Sequence, residues 1–404
     1  MLRAMKKYEE LFAQLHSELI PYYRSWCHDY PMVISTQRNQ ELKRMQKVLY
    51  RCIDYYVQHY QDYLDEIPFD EKVLAILKAS ERYPFEAGTF RPDYLLCEDG
   101  NLKICEITSR FFGNGYFLSY FMEHAGAAFA VEAGIMDYHS YFEELLEYLA
   151  DMLGDKKKLC VLKSADKSDS IRLYVPFYQA LGAEVTILEA DEVENKIELL
   201  KDSFVVSALN QTDIMSLSME TIERIIDSRC RNDFRTVFLL HDKRFFKLFH
   251  IERFTEKCLS PEDIIFLQEH TVPTYTIGMD REVFADARKH KDLYIIKHAR
   301  LGKSEKVYAG CLCADDAWER IFASDELQNM ILQPFIKQKI YPIIWNGQKL
   351  NDYVAGTILC VDNHYFGTGL FRTSTRPVIN QTDAHKVAPV ITDEVWKFEY
   401  CHRL

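Results

Sequence analysis

The segment from residue 158 to residue 240 constrains the fold most, because apolar strand-like runs alternate in it with helix-like ones. The run KLCVLK precedes an amphipathic stretch that stops at Gly182, and AEVTILEA, FVVSAL and TVFLL supply three further apolar runs. Parallel strands need long crossover connections, which are usually helices. The alternation therefore predicts a small α/β unit built on a four-stranded parallel sheet.

The rest of the chain divides into three further parts. Residues 1–82 carry apolar side chains at helical spacing and predict a helical module, interrupted by MVIS, which we expect to form a short buried strand. Residues 83–150 contain two strand-like runs around Asp99-Gly100, a hairpin signal. The α/β unit takes residues 151–240. Residues 241–404 predict an α+β region with a helix near Arg281 to His290 and strands in DLYIIKHA, VYAGCLC and MILQPFI.

Charge and cysteine usage exclude several classes of function. The formal net charge of −12 would repel nucleic-acid backbones and anionic membrane surfaces, so neither is expected as a partner. No run approaches the length of a membrane span, and the charged start MLRAMKKYEE lacks a signal-peptide core, so a cytoplasmic protein is expected. Eleven cysteines without a Cys-x-x-Cys pair predict reduced thiols, and Cys311 and Cys313 alternate in YAGCLC as they would in a strand.

Two carboxylates lie on opposite arms of the hairpin around Asp99-Gly100. In RPDYLLCEDGNLKICEIT, Asp93 and Glu106 can approach one another across the strand pair, with Arg91 beside them. Such a pair could hold magnesium, which binds few carboxylates and completes its shell with phosphates and water. An exposed hairpin with ordinary cross-strand charge pairs explains the same residues equally well.

A second candidate lies at the end of a buried strand. Lys297 closes the apolar run YIIKH and is followed by a loop that contains Gly302, Lys303 and Ser304. A lysine and the backbone N–H groups of a flexible loop can bind phosphate oxygens. Taken alone, however, one glycine is more typical of a solvated hairpin.

The order of these motifs resembles that of eukaryotic-type glutathione synthetases, relatives of bacterial glutathionylspermidine synthase. RPDYLLCEDGNLKICEITSRFFGNG is similar to the family's Arg-x-Asp-Tyr strand, its Glu-Ile-Asn magnesium segment and its small-residue turn. HDKRFFKLF resembles the phosphate-contacting helix, YIIKHARLGKSEKVYAG the glycine loop, MILQPFI the adenine hinge, FRTSTRP the substrate-binding segment and TDAHKVAPV the lid. The resemblance covers roughly residue 83 to the C-terminus. It implies an α/β, circularly permuted ATP-grasp fold with an inserted small parallel-sheet domain and an N-terminal helical module.

The resemblance also implies a set of nucleotide contacts. Lys243 and Lys297 would bind the ATP phosphates, with Gly302 in the loop that closes over them. Asp352 would contact the ribose. The adenine would meet the hinge, whose expected residues are Gln333, Phe335 and Ile336.

Two positions depart from the family's magnesium ligands. Thr108 replaces the asparagine of Glu-Ile-Asn, and Leu301 replaces the glutamate before the glycine loop. Magnesium would then be held by Glu106 together with Asp93, as in the glutathionylspermidine relatives, or with Asn380, and the sequence leaves both open. The lid also lacks the family's glycines, so the substrates are expected to differ from the precursors of glutathione. In their place the lid carries Asp383, His385 and Lys386.

These features predict an ATP-dependent carboxylate-amine ligase that uses ATP and Mg²⁺. A small carboxylic acid would be activated as an acyl phosphate and joined to an amine, with Arg91 and Arg372 stabilising the charge of the transition states. The small-molecule acid and amine are the expected partners, and a homodimer is allowed. Two alternatives stay open: a catalytically silent relative that binds nucleotide or a partner, and a ligase with a thiol or hydroxyl acceptor.

Overall fold

The structure is a computed structural model. It describes residue 10 and residues 26–132, 134–135, 137–165, 170–302, 304–379, 385–394 and 402–403. Helices and several sheets are mixed throughout, so the predicted α/β class is confirmed. None of the helices in this described part is long and apolar enough to cross a bilayer.

The α-helices of the described residues are, in chain order, α1 (Thr36–His59), α2 (Glu71–Ser80), α3 (Tyr116–Glu132), α4 (Phe142–Leu153), α5 (Ser170–Ala180), α6 (Gln211–Ser216), α7 (Met219–Asp227), α8 (Phe245–Leu248), α9 (Glu252–Cys258), α10 (Pro261–His270), α11 (Arg281–Lys289) and α12 (Asp315–Phe322). Short 3₁₀ segments occupy Tyr60–Tyr63, Glu194–Leu200, Lys291–Leu293, Gly310–Leu312 and Asp325–Asn329, and a π-helical turn occupies Thr236–Leu240.

The strands are, in chain order, β1 (Met32–Ile34), β2 (Thr89–Leu96), β3 (Leu102–Thr108), β4 (Lys158–Lys163), β5 (Glu184–Glu189), β6 (Phe204–Ala208), β7 (Tyr275–Thr276), β8 (Tyr294–His298), β9 (Val307–Ala309), β10 (Met330–Pro334), β11 (Ile340–Trp345), β12 (Gln348–Val361), β13 (His364–Thr368), β14 (Phe371–Ser374), β15 (His385–Val387), β16 (Pro389–Ile391) and β17 (His402–Arg403).

The largest sheet has seven strands and joins distant parts of the chain. Its order is β15-β14-β12-β2-β3, and β11 and β13 also pair with the long central strand β12. All of these pairings are antiparallel. Because β12 pairs with both β2 and β14, the hairpin of residues 89–108 lies in one sheet with strands that begin at least 240 residues after it.

A four-stranded antiparallel sheet of order β7-β10-β8-β9 lies elsewhere in the C-terminal region. Alternation along β8 divides its side chains between two environments. Ile295 and Lys297 line a cavity, whereas Ile296 between them packs into a small hydrophobic core of its own. The sheet therefore presents a lysine on one face while its other face is closed by helices α11 and α12.

The predicted parallel sheet is present with three strands rather than four. Its order is β5-β4-β6, and both pairings are parallel. The expectation of a strand in TVFLL is wrong, because Thr236–Leu240 forms a buried π-helical turn. The backbone N–H of Val237 donates to the carbonyl of Asp233 at 3.2 Å, as in a helix. A short run that is buried on all sides lacks the periodicity that separates helix from strand.

The strand predicted across VYAGCLC is also shorter than expected. It ends at Ala309, and Gly310–Leu312 form a 3₁₀ turn in which Gly310 packs against the backbone of Lys291 so closely that a Cβ would clash. Cys311 and Cys313 therefore do not alternate along a strand. The structure gives Cys311 an exposed position.

The N-terminal region combines helices with one strand, as expected. Helix α1 is capped by Ser35, whose Oγ accepts a hydrogen bond from the backbone N–H of Arg38 at 3.1 Å. Strand β1 lies in MVIS and is fully buried. It pairs in parallel with β16 and β17, which ties the start of the described chain to its end. The part of the predicted helical module before residue 26 lies, apart from residue 10, outside the described residues.

Candidate active site

A cavity of about 370 Å³ lies where the seven-stranded and four-stranded sheets face one another. Strands β2, β3 and β14 contribute from one side, and β8 and β10 contribute from the other. Ten of the residues with a predicted role line it: Arg91, Asp93, Glu106, Lys243, Lys297, Gly302, Gln333, Phe335, Ile336 and Arg372. Distant segments of sequence thus meet in one cleft.

The two carboxylates lie opposite each other, as the hairpin predicted. Asp93 and Glu106 are partners in the β2–β3 ladder, immediately before a bulge at Tyr94. One carboxylate oxygen of Asp93, Oδ2, accepts a hydrogen bond from Nη2 of Arg372 at 2.7 Å. The other, Oδ1, is buried and has no hydrogen-bond partner in the part of the chain that the structure describes. Oε2 of Glu106 lies 3.5 Å from Nζ of Lys243.

Burial and neighbouring charge act differently on the two acids. For Glu106, burial would raise the pKa, but the cations around it, Lys243 foremost, outweigh that effect and hold the pKa at about 2. For Asp93, burial dominates over the attraction of Arg372 and Arg91 and raises the pKa. Glu106 is therefore the firmly ionised member of the pair.

The cavity contains more cationic than anionic side chains. Arg91, Lys243, Lys297 and Arg372 surround the two carboxylates. Burial lowers the pKa of the Arg91 guanidinium, and no described residue forms a hydrogen bond with its Nε. Burial opposes the charge of Arg372 as well, but Asp93 and Glu106 outweigh it and raise its pKa. A surplus of buried cations favours a small, highly charged anion such as a polyphosphate.

Lys243 joins the acid pair to the loop after β8. Its Nζ donates to the carbonyl oxygen of Leu301 at 2.6 Å, and its backbone N–H donates to that of Ala299 at 2.9 Å. The side chain is buried. The loop thus lies against the predicted phosphate site, and Gly302 approaches the guanidinium of Arg110 too closely to accept a Cβ without displacing it.

The predicted hinge forms one wall of the cavity. Gln333 is buried, and its Nε2 donates to Oγ1 of Thr274 at 2.9 Å. The backbone N–H of Phe335 donates to the carbonyl of Leu293 at 2.7 Å, so this amide is already used within the protein. Phe335 and Ile336 therefore offer the cavity apolar surface, which suits a flat aromatic ring.

One predicted residue is not brought to this site, and another lies outside the described residues. Asp352 is completely buried, is not among the residues that line the cavity, and accepts a hydrogen bond from Thr373 at 2.8 Å, so the ribose contact predicted for it is wrong. It faces the opposite side of the sheet because side chains alternate along β12. Asn380, the alternative metal ligand, lies outside the described residues.

The cavity also contains residues for which no role was predicted. Burial lowers the pKa of His241 to about 3, with help from Lys243, so its ring is neutral at pH 7. Burial lowers the pKa of Lys386 to about 8 and raises that of the Cys105 thiol to about 11. Proximity in sequence was the available signal, because Cys105 adjoins Glu106 and His241 lies two residues before Lys243.

Known proteins give a fold but not a family. The structure is similar to a glutathione synthetase-like effector, GSS30, from Globodera pallida in its apoform, with 13% identity, 90% of this chain and 89% of that chain covered and a TM-score of 0.57. A putative gamma-glutamylcysteine synthetase from Methylobacillus flagellatus KT gives a TM-score of 0.41 at 9% identity over 85% and 88% of the two chains, too low to support an argument. This likeness shows the fold alone.

Sequence comparison points elsewhere. A family model described as the AnkG N-terminal domain matches residues 43–239, which is under half of the chain. No curated protein matches the sequence significantly. The glutathione synthetase-like fold therefore agrees with the resemblance in the sequence motifs, while circular permutation and family membership stay predictions.

Proposed function

We propose that this protein is an ATP-dependent ligase that activates a small carboxylic acid and joins it to an amine. The observation that carries the proposal is the meeting of Lys243 and Lys297 with Arg91, Arg372 and an acid pair in one cleft between two sheets. Buried cations in such number need an anionic ligand, since their own two carboxylates neutralise only part of their charge. The fold shared with a glutathione synthetase-like protein supports the same chemistry by analogy.

In this proposal the triphosphate lies along the lysines. Lys297 extends from the floor of the cleft, and Lys243 reaches it from the segment before α8. The adenine packs on the apolar wall made by Phe335 and Ile336. The acid lies near Arg372, whose planar guanidinium can bind carboxylate and phosphoryl oxygens together.

The reaction proceeds by two displacements. A carboxylate oxygen of the acid attacks the γ-phosphorus of ATP, the bond to the bridging oxygen breaks, and ADP leaves with the electron pair. The amine nitrogen then attacks the acyl carbon, inorganic phosphate leaves, and one amine proton is lost to solvent. Arg91 and Arg372 stabilise the negative charge that develops in both transition states. The net change is an amide bond formed for one ATP cleaved to ADP and phosphate.

The acid pair fits the magnesium ion that ATP chemistry requires. Oδ1 of Asp93 is buried and unpartnered within the described ranges, and the carboxylate of Glu106 keeps its charge because its pKa is held at about 2. These two oxygen donors are compatible with magnesium, whose remaining ligands are usually phosphates and water. Bound there, the ion would neutralise phosphate charge and polarise the γ-phosphoryl group.

One observation favours a different outcome, a relative that binds nucleotide without turning it over. Arg372 is engaged with Asp93, and Lys243 with both Glu106 and the carbonyl of Leu301. If these pairs persist with nucleotide bound, Arg372 is held away from substrate and Lys243 away from the phosphates. Nucleotide binding without ADP release would then be the function of the cleft.

Assays of ATP binding and ATP consumption separate these functions. The full chain is titrated with ATP and magnesium by calorimetry, then incubated with ATP, magnesium and pools of carboxylic acids, amines, thiols and alcohols. A ligase releases ADP only when an acid and an acceptor are both present, and mass spectrometry shows the condensed product and hence the acceptor. Binding without ADP release supports the silent relative. Absence of ATP binding rejects both functions.

A further inference from the structure

A second cluster of ligating side chains lies on the face of the seven-stranded sheet that points away from the cleft. It consists of His28, Asp352 and His385, which we call the His-Asp-His cluster. One ring nitrogen of each histidine and one carboxylate oxygen of Asp352 all lie within 4.8 Å of one another. His28 precedes β1, Asp352 is in β12 and His385 begins β15, so the three come from separate segments of the chain.

Hydrogen bonds inside the cluster satisfy only part of the buried carboxylate. Oδ2 of Asp352 accepts a hydrogen bond from Oγ1 of Thr373 at 2.8 Å and lies 3.4 Å from Nδ1 of His385. The same Thr373 hydroxyl lies 2.9 Å from Nε2 of His28. Oδ1 of Asp352 has no hydrogen-bond partner among the described residues, although Asp352 is 0% exposed. A buried carboxylate oxygen without a partner is destabilising, so the network is incomplete as it stands.

We propose that the His-Asp-His cluster binds a divalent first-row transition ion, for which Zn²⁺ is the natural probe. Two imidazole nitrogens and one carboxylate oxygen form a donor set that suits such ions and not magnesium or calcium, which take oxygen ligands. An ion bound to Oδ1 supplies the missing partner. Zinc bonds to these donors are about 2.0–2.2 Å long, so small side-chain rotations bring the three atoms onto one ion.

The surroundings hold the ligands in place. The ring of Trp345 stacks on that of His385 with centroids 4.3 Å apart and an interplanar angle of 30°. Thr373 bonds to Asp352 and also contacts His28. Such contacts orient metal ligands in proteins, and a water molecule can fill the fourth position of a tetrahedral ion.

The position of the cluster gives the ion a positioning role. In the β14–β15 ladder, Thr373 pairs with His385, and the next pair is Arg372 with Lys386. Because side chains alternate along strands, the first pair faces the cluster while the second faces the cleft. An ion that links β15 to β12 and to the segment before β1 would therefore stabilise the positions of Arg372 and Lys386 from the opposite face of the sheet. This inference concerns a site separate from the cleft and does not depend on what the cleft binds.

Metal titration of the full chain tests the proposal directly. The protein is purified with a phosphine reductant, stripped with a chelator and titrated with Co²⁺, whose visible absorption reports tetrahedral ligation, and Zn²⁺ is then used in competition. We expect one ion per chain and a thermal midpoint that rises with zinc. His385→Ala and Asp352→Asn should each weaken binding by more than about tenfold. His364→Ala, an exposed histidine on β13, is the matched control and should bind as the parent protein does.

Three results would overturn the proposal. The first is a parent protein that binds neither Co²⁺ nor Zn²⁺ at micromolar concentrations. The second is retention of full affinity in both ligand variants. The third is sulfur-to-cobalt charge-transfer absorption, which would assign the ion to cysteines. If His385→Ala does not fold, His28→Gln provides the same test, because His28 is half-buried at the margin of the cluster.

Discussion

The two sheets that enclose the cleft rest on hydrophobic cores of very different size. The seven-stranded sheet belongs to a continuous core shared with the N-terminal helices and the α/β unit. Among the described residues, the four-stranded sheet packs on a core of seven buried side chains: Phe284, Ala287, Ile296, Trp318, Leu327, Met330 and Leu332. Both sheets nevertheless deliver charged groups to one cavity. A few buried contacts support Lys297 and the hinge, so this side should open locally at a lower free energy than the other.

The largest expected effect comes from emptying the smaller core. Trp318 is 1% exposed, and its Nε1 donates to the carbonyl of Ala287 at 3.1 Å. Trp318→Ala should lower the stability of this unit by about 3–5 kcal/mol, because a large cavity and an unsatisfied carbonyl remain. Hydrogen exchange followed by mass spectrometry should show fast exchange confined to residues 275–334. ATP affinity should fall together with the stability of this unit.

The matched control is Leu162→Ala in the larger core, where Leu162 is 0% exposed on β4. A loss of about 2–5 kcal/mol is expected there too. It should shift the unfolding midpoint of the whole chain and leave ATP affinity unchanged while the protein is folded. Uniformly faster exchange across the chain in Trp318→Ala would mean that the two cores unfold as one unit, and the contrast between the sheets would be lost.

The next effect concerns the larger sheet. Arg372→Ala should reduce ligase turnover by about a hundredfold, equivalent to about 3 kcal/mol, because one charge-assisted contact to the transition state is removed. ATP affinity should change little, since Arg372 is placed at the acid and not at the adenine. Steady-state rates combined with calorimetry measure both quantities.

A control from the same segment is Arg376→Ala, because Arg376 is exposed and does not line the cavity. It should turn over like the parent protein. Equal rates for the parent protein, Arg372→Ala and Arg376→Ala would show that Arg372 takes no part in catalysis. FRTSTRP would then have a structural role only.

A smaller effect is expected from the lysine of the smaller sheet. Lys297→Ala should weaken ATP binding by about tenfold, or about 1.4 kcal/mol, because one buried phosphate contact is lost. Lys163 also ends an apolar strand, but its Nζ is paired with Glu189 at 2.8 Å outside the cleft. Lys163→Ala should bind ATP normally. Calorimetric titration that found identical affinities for both variants would contradict the phosphate assignment.

Pairing between neighbouring strands could be predicted from the sequence more reliably than the set of residues that meet in each site. The hairpin signal at Asp99-Gly100 predicted that the two strands pair, but the register at the turn alone would place Asp93 opposite Cys105. The register shift between Asp93 and Tyr94 brings Glu106 opposite Asp93 instead. Strand β8 and its lysine followed from a short apolar run with a polar end. The prediction of a strand in TVFLL was wrong because complete burial removes the periodicity on which the distinction between helix and strand depends.

The contacts between distant segments could not be derived from local pattern. The Arg372–Asp93 ion pair joins two residues that are 279 positions apart in the sequence. Lys243 donates a hydrogen bond to the carbonyl of Leu301 in a turn that no sequence motif predicts. Asp352 was assigned to the ribose by resemblance alone, whereas alternation along β12 turns it to the other face of the sheet. Only the arrangement of the sheets reveals that it meets two histidines there.

The smallest effect concerns the magnesium ion that the proposed function places in the cleft, where neighbouring cations would compete with it. Glu106→Gln should raise the magnesium concentration for half-maximal rate by a few-fold, because Glu106 keeps its charge at neutral pH, its pKa being held at about 2. Asp93→Asn should act in the same direction and also release Arg372. Thr108→Ala is the matched control: it lines the same cavity but contributes no charge, so its midpoint should stay near that of the parent protein.

These midpoints also distinguish ligase from silent relative. In a ligase, Asp93 would bind magnesium through Oδ1, so Asp93→Asn should alter the rate and the metal midpoint together. In a silent relative the ion pair persists, and removing it should change ATP affinity without any dependence on magnesium. Midpoints that are unchanged in both acid variants would place the metal away from β2 and β3. The paired charges between these strands and β14 would then serve to hold the larger sheet closed rather than to bind an ion.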